Sequence, residues 1–413
     1  MGSEKAILVI GGGISGLTAA VEAAEVGYDV TLIEQGPYLG GRVSKMNSYF
    51  PKLCAPTCGL EINYKRIKMN PKVKIVTQAE VTGISGKAGD YTAAVKVTPR
   101  MVNDNCTACG KCAEVCPVER PNDHNYGMDK TKAIYLSSAM AFPYKYAIDK
   151  GVCLGDSCGK CVSACAYKAI ELGMPESTLN IKAGGIVVAT GWKPYEASNL
   201  DNLAFGKAKN VITNVMMERL AAVDGPTKGK ILRPSDGAAP KNIAFVQCAG
   251  SRDQNHLAYC SGVCCMGSLK QINYVKEQYP DAQISMFYID IRAMGYLEDF
   301  LVKVQGMQGV SLIKGKVAKI TEVAGGNLKL DVEDIAKGAK ITPEVDMVVL
   351  ATGLVPSRIP GDIKYDEYGF VAPDNVGIVG AGCAKRPADV SSSVMDATGA
   401  TIKAIQAVVS GGA

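Results

Sequence analysis

Eight cysteines between Cys106 and Cys165 fall at spacings that bind iron. The first run, Cys106, Cys109, Cys112 and Cys116 followed by Pro117, reads C-x2-C-x2-C-x3-C-P. The second, Cys153, Cys158, Cys161 and Cys165, repeats it with a wider first gap and with Ala166 in place of the proline. Three thiolates this close wrap three corners of a 4Fe–4S cube, and in two-cluster proteins the fourth ligand comes from the other run. The spacing therefore predicts one cluster on Cys106, Cys109, Cys112 and Cys165, and another on Cys153, Cys158, Cys161 and Cys116. Structural zinc is the competing reading, although zinc sites seldom present a doubled array of this kind. The chemistry expected is transfer of single electrons.

A third group, Cys248, Cys260, Cys264 and Cys265, lies in C-A-G-S-R-D-Q-N-H-L-A-Y-C-S-G-V-C-C-M. It sits between an apolar run at 242–247, read as a strand, and a helical pattern at 268–277, with another strand expected at 284–289. In a pyridine-nucleotide enzyme that strand–helix turn is short and glycine-rich, so that it can cradle phosphates. Here it is too long and carries four thiols, which suits a third iron–sulfur cluster. The plain alternative is that Cys264 and Cys265 are core residues. Cys54 and Cys58, in L-C-A-P-T-C-G, read three ways: a redox dithiol, further cluster ligands, or two small buried side chains.

These groups need a scaffold, and the N-terminal stretch supplies one. A-I-L-V-I at 6–10 suits a buried parallel strand, G-G-G-I-S-G follows at once, a helix runs to Gly27, and a strand at 28–33 ends at Glu34. In this unit Gly11 makes the tight turn, Gly13 lets backbone approach a pyrophosphate, Gly16 lets helix pack on strand, and Glu34 faces a ribose hydroxyl. Gly40, Gly41 and Arg42 soon after the acid favour FAD over NAD. Two later strands end in A-T-G, at 184–192 and 345–353, and G-A-G-C at 380–383 opens a last helix; Cys383 stands where flavoproteins carry an acid. Candidate cofactor contacts are therefore Gly11, Gly12, Gly13, Ile14, Ser15, Gly16, Glu34, Gly41, Arg42, Thr190, Gly191, Gly380 and Gly382. Strands over 73–97 are expected to form a small accessory sheet. The fold class expected is α/β: a two-dinucleotide-binding-domain (Rossmann-like) flavoprotein with an inserted bacterial-type ferredoxin module. Its divisions are an FAD-binding domain (1–100), the two-cluster insertion (101–176), the FAD-domain return and a connection (177–240), a second dinucleotide-type domain with the cysteine site (241–344), and the C-terminal part of the FAD domain (345–413).

The 413 residues have room for two or three domains, and 47% apolar content is that of a globular chain. Fifteen cysteines would suit a secreted disulfide protein. Their bunching at metal spacings, and an opening M-G-S-E-K without an apolar signal core, point to a reducing cytoplasm. No apolar run approaches the roughly 20 residues needed to span a bilayer. A net charge of +5 with no basic block argues against nucleic acid.

The doubled cluster motif inside an FAD domain, C-A-G-S-R-D with C-S-x-x-C-C-M, and Y-I-D-I-R-A at 288–293 together resemble the A subunits of heterodisulfide reductases, over residues 5–405. In size the chain looks most like the A subunits of quinone-interacting membrane-bound oxidoreductases within that family. That resemblance implies a complex with a membrane haem subunit that reacts with quinone, together with a second heterodisulfide-reductase-A-like subunit. It also implies electron exchange between menaquinone and adenylylsulfate reductase, at the inner face of the cytoplasmic membrane. In the family the C-C-M cysteines hold a cluster beside FAD and a nearby lysine approaches the flavin ring; the matching position is Lys270, otherwise an ordinary helix lysine. A soluble heterodisulfide-reductase-like complex, with flavin-based bifurcation, is the alternative. A self-contained NAD(P)H-dependent flavin oxidoreductase and a zinc-held scaffold are the rival classes. No acid, base or nucleophile is assigned, because the cofactors carry the chemistry.

Overall fold

The computed structural model describes residues 6–50 and 52–411; the opening M-G-S-E-K lies outside them. Two compact units emerge, one of residues 6–45, 52–192 and 356–411, the other of 46–50 and 193–355.

The first unit is built on a parallel sheet in the order Ile378–Gly380, Gly185–Val188, Ala6–Ile10, Asp29–Glu34, Val73–Thr77. Ile7, Leu8, Val9, Ile186, Val187 and Val188 are all buried, as strands covered on both faces must be. The helix Ile14–Glu25 packs against Val390–Gly411. Their buried positions include many small residues, among them Ala19, Ala20, Ala23, Ala397, Ala400 and Ala404, which lets the two backbones come close. Val73–Thr77 belongs to this main sheet and not to an accessory one, contrary to the expectation for 73–97. The accessory sheet is Ala79–Lys87, Asp90–Val97 and Ser177–Ala183, antiparallel throughout.

That accessory sheet explains how the insertion is accommodated. Ser177 pairs with Val97 and Ala183 with Tyr91, so the chain leaves and re-enters at two neighbouring strand ends, and the inserted module is the loop of a hairpin. The module has only short elements, among them the helices Lys111–Glu114 and Lys160–Ala164, around a small core of Met101, Val102, Ile134, Ile148, Ala169 and Ile170. Arg100, buried at its root, fixes it to the rest of the unit. Its guanidinium donates to the carbonyls of Lys145 at 3.1 Å and of Pro37, and to Thr77 Oγ1 at 3.1 Å. Tyr38 adds bonds to the Tyr135 and Lys145 carbonyls at 2.8 and 3.1 Å.

The second unit has one large sheet in the order Val211–Thr213, Met347–Thr352, Asn242–Ala249, Gln283–Tyr288, Val310–Glu322, Leu328–Asp334, Ala339–Ile341. Its first five strands run parallel, and the long fifth then turns back antiparallel onto Leu328–Asp334. Two expectations are corrected. Met347–Thr352 lies inside this sheet, so the C-terminal return to the first unit starts after Val355 and not at 345. M-V-V-L-A-T and G-I-V-V-A-T are equally apolar, and a uniformly buried strand carries no sign of which sheet it joins. The helix expected from Ser268 begins at Cys264, taking the paired cysteines into its first turn.

Candidate functional site

Three places gather the chemistry. The first lies at the C-terminal edge of the five-stranded sheet. Gly11 and Gly16 are there because nothing larger fits: a Cβ on Gly16 would sit 1.8 Å from the Gly11 carbonyl oxygen, and one on Gly11 would lie 2.3 Å from that of Ala189. Gly13 differs, since a Cβ there meets only Gly41 Cα, at 3.8 Å. The helix that follows has neither a side-chain cap nor an acid in its first turn, leaving amides and the positive dipole end for an anion. Glu34 closes the neighbouring strand, and its carboxylate oxygens accept from the Gly12 and Gly36 amides at 2.7 Å each. Burial pushes its pKa up, against the pull of those two bonds.

The other expected contacts converge on this edge. Gly40 N donates to Gly12 O at 2.8 Å, and Gly41 abuts Gly13. Arg42 donates to the Trp192 carbonyl at 2.5 Å and to Tyr126 Oη at 3.0 Å. Thr190 and Gly191 are tied to Ser357 by bonds of 2.6 and 3.0 Å. Gly382 faces buried Ser15, and Gly380 ends the outer strand. Asp396 was not anticipated. Its carboxylate accepts from Gly382 N at 2.8 Å and pairs with Lys385 at 2.6 Å, bringing an acid from the last helix to the turn where Cys383 replaces one. The open space at Gly13, uncapped amides and an acid on the second strand fit a dinucleotide.

The second place is the inserted module. A cavity of about 350 Å³, open solvent included, is lined by Cys153, Cys158 and Cys161 of the second run and by Cys116 of the first. This is the crossed set expected from spacing. The wider Cys153–Cys158 gap is taken up by a single 3-10 turn, Gly155–Ser157. Cys106, Cys109 and Cys112 lie near one another around Tyr146, and Cys165 packs on the same small core as Cys106 and Cys112. Burial, then the neighbouring Cys106, pushes the Cys112 thiol up to about 12. Backbone amides reach the sulfurs, Gly155 N to Cys153 Sγ at 3.4 Å and Ala169 N to Cys165 Sγ at 3.3 Å, bonds of the kind that tune cluster potentials.

The third place is the strand–helix turn of the second unit. The strand Asn242–Ala249 breaks register with its neighbour between Val246 and Ala249, and within that irregularity Cys248 is left-handed (φ 57°). Such irregularities re-aim side chains beside functional sites. Cys264 and Cys265 open the helix Cys264–Gln278, again without a side-chain cap or first-turn acid. Cys260 comes from the connecting loop, and the four sulfurs act on one another electrostatically. Burial and then Cys265 push the Cys248 thiol up to about 11, opposed by Arg252. Arg252 pairs with Asp290, which also holds Arg292 at 3.1 Å. Among the described residues no group of three or more His, Cys, Asp or Glu side chains converges as a single metal ion needs. A cube takes one thiolate per iron, so its sulfurs are spread around a box.

Lys270 is not an ordinary surface lysine. It is 4% exposed, its Nζ lies 3.1 Å from Glu218 Oε1, and it donates to the Ser48 carbonyl. Glu218 also accepts from Gln271 Nε2 at 2.7 Å and Asn47 N at 3.1 Å. Sequence reading missed Glu218; an acid inside the apolar face of V-M-M-E-R-L was the available signal.

No described helix is long and apolar enough to cross a membrane. A model described as NAD(P)-binding Rossmann-like domain matches residues 9–55, and one described as 4Fe-4S binding domain matches 99–119. The chain is 36% identical to the A subunit of the ferredoxin/F(420)H(2)-dependent CoB-CoM heterodisulfide reductase of Methanosarcina acetivorans, with 99% of this chain and 54% of that protein covered. It is 34% identical to the A subunit of the H(2):CoB-CoM heterodisulfide,ferredoxin reductase of Methanothermobacter marburgensis (98% and 64% covered). With the iron-sulfur A subunit of the CoB–CoM heterodisulfide reductase of Methanocaldococcus jannaschii the identity is 36% (96% and 63% covered). The chain thus spans about half to two-thirds of these relatives' length. Among solved structures, thioredoxin reductases of T. acidophilum (TM-score 0.53, 14% identity, 99% of each chain) and Lactococcus lactis (TM-score 0.54, 13% identity, 98% and 99%) share the fold.

Proposed function

This chain belongs to the family of heterodisulfide reductase A subunits, and from that premise we propose that it moves electrons between a flavin and iron–sulfur clusters as one subunit of an oxidoreductase. Bound FAD would exchange electrons in pairs or singly and each cubane would pass one at a time. The chain's residues hold and tune these groups. Gly11 to Gly16, with Glu34, Gly41, Arg42, Thr190, Gly191, Gly380 and Gly382, would seat the dinucleotide. Cys106, Cys109, Cys112 and Cys165, and Cys153, Cys158, Cys161 and Cys116, would hold two cubes, and Cys248, Cys260, Cys264 and Cys265 a third. Lys270, locked to Glu218, places a fixed positive charge just beyond the C-C-M turn.

The observation that carries this reading is the junction from the strand Asn242–Ala249 to the helix Cys264–Gln278, whose strand end, connection and first helical turn carry four cysteines where a phosphate cradle would otherwise lie. Hydride delivery from a nicotinamide loses its usual seat there. Anaerobic titration of the flavin- and iron-loaded protein tests it. A one-electron reductant should bleach flavin and clusters together, while NADH and NADPH leave the spectrum unchanged. Stoichiometric bleaching by NADH would restore the self-contained oxidoreductase reading.

The partners follow as the same proposal: a multi-subunit complex of the heterodisulfide-reductase type, supplied by one-electron carriers. The relatives support this alternative better than the narrower route from menaquinone to adenylylsulfate reductase. To that narrower route belong the quinone-reactive haem subunit, the second A-like subunit, and attachment at the membrane face. Anaerobic isolation under native conditions, with mass spectrometry of the co-purifying chains, separates the two.

A further inference from the structure

The thiols of the third place are bordered by charges that the proposed function has not used. Arg252 follows Cys248 on the connecting loop and, like it, is left-handed (φ 57°). Its amide donates to the Tyr259 carbonyl at 3.2 Å, so the loop folds back on itself directly before Cys260. Its guanidinium pairs with Asp290. Asp290 lies just past the end of the neighbouring parallel strand Gln283–Tyr288, and Arg292 Nη2 meets its other carboxylate oxygen at 3.1 Å. Asp290 also reaches the cysteines through its backbone, with its carbonyl oxygen 3.7 Å from Cys265 Sγ. One carboxylate is thus held between two guanidiniums, which leaves an excess of one positive charge. The loop's other acid, Asp253, is offset by Lys316 at 3.6 Å.

We propose that Arg252, Asp290 and Arg292 are positioning residues that raise the reduction potential of a cluster held by Cys248, Cys260, Cys264 and Cys265. The inference rests on the third iron site proposed above. A cube on four thiolates carries net negative charge, and that charge grows by one unit when an electron arrives from the reductant. A net positive group beside it stabilises the reduced form more than the oxidised one, by the Coulomb energy of the added unit. The Arg252 and Arg292 side chains are 26% and 51% exposed, so solvent and salt weaken the effect without abolishing it. The same three side chains brace the loop that carries Cys260 against the strand end that touches Cys265. Bracing and charge predict different things. Loss of a brace disturbs the site whichever partner is removed, whereas loss of charge moves the potential down for an arginine and up for the aspartate.

The test is an anaerobic redox titration of the flavin- and iron-loaded protein, followed by EPR, on the parent, Arg292→Gln, Arg292→Lys and Asp290→Asn. The third cluster's signal is the one missing from Cys264→Ala. At the potential where half of that signal has appeared in the parent, the ratio of reduced to oxidised cluster should be about fivefold lower in Arg292→Gln. It should match the parent in Arg292→Lys and exceed it in Asp290→Asn. The other two cluster signals should titrate as in the parent. The differences should shrink in about 1 M salt, where the screening length is about 3 Å. Full iron with an unmoved titration in Arg292→Gln overturns the proposal, as does a lower ratio in Asp290→Asn. Loss of the third cluster's iron from both of these variants also overturns it, leaving the charges as a brace. A parent with about eight iron atoms, on the four-cysteine rule, and no signal that depends on Cys264 sinks the third iron site itself, and the proposal with it.

Discussion

At the scale of single residues, the glycines of the first loop do two separable jobs. Gly16→Ala would drive a methyl group to 1.8 Å from the Gly11 oxygen, so this variant should fail to give folded flavoprotein. Gly13→Ala meets only Gly41 Cα at 3.8 Å. It should melt within a few degrees of the parent yet bind flavin at least about tenfold more weakly, about 1.4 kcal/mol; flavin fluorescence and thermal melting read the two effects apart. The Lys270–Glu218 pair makes another prediction. Removing one partner of a buried pair strands the other charge at a cost of about 3–5 kcal/mol. Lys270→Met should therefore lower the urea midpoint of the second unit, and adding Glu218→Gln should recover part of the loss. Glycine spacing and the cysteine runs were legible because each is set by local geometry. Glu218 and Arg100 were not, because their partners lie far along the chain: Lys270, and Pro37 and Lys145, respectively; Asp396 was not, because it reaches back from the last helix to the turn at Gly382.

At the scale of elements, the helix Cys264–Gln278 begins a turn earlier than its apolar pattern suggested. The reason is that its first turn is ruled by two adjacent cysteines, which carry no helical period of their own. With that start, Cys264 and Cys265 stand at the dipole's positive end, a favourable place for thiolates carrying a net negative cluster. Cys264→Ala should lower iron from about twelve to about eight atoms per chain, on one cube per four cysteines, with flavin retained. Unchanged iron would leave these residues as core packing. The strand Met347–Thr352 shows the other limit of pattern reading. Its six residues are all buried, and six buried apolar residues suit either sheet equally well.

At the scale of the whole chain, the cavity joining Cys116 to Cys153, Cys158 and Cys161 makes the two cysteine runs interdependent. If ligation is crossed, Cys116→Ser combined with Cys158→Ser disturbs one cube, and iron should fall by about four atoms, no further than for either change alone. Cys116→Ser combined with Cys109→Ser disturbs both, and about eight atoms should be lost. The reverse, about eight atoms lost in the first double variant and about four in the second, would mean that each run keeps its own cluster. The order of domains was readable along the chain because each carries its own motif, but the boundary at Val355 was not, since the A-T-G strand just before it resembles the one at 184–192 and its uniform burial does not say which sheet it joins. The insertion also sets a timetable. Val97 cannot meet Ser177, nor can Gly185–Val188 take its place beside Ala6–Ile10, until the ribosome has made the whole module. At roughly 5–20 residues per second that takes on the order of ten seconds. During this interval the half-made flavin domain waits with the open edge of its central strand exposed, and the first run of module thiols is made before the second. A cell short of iron would therefore meet the consequence during synthesis, before the flavin domain has closed.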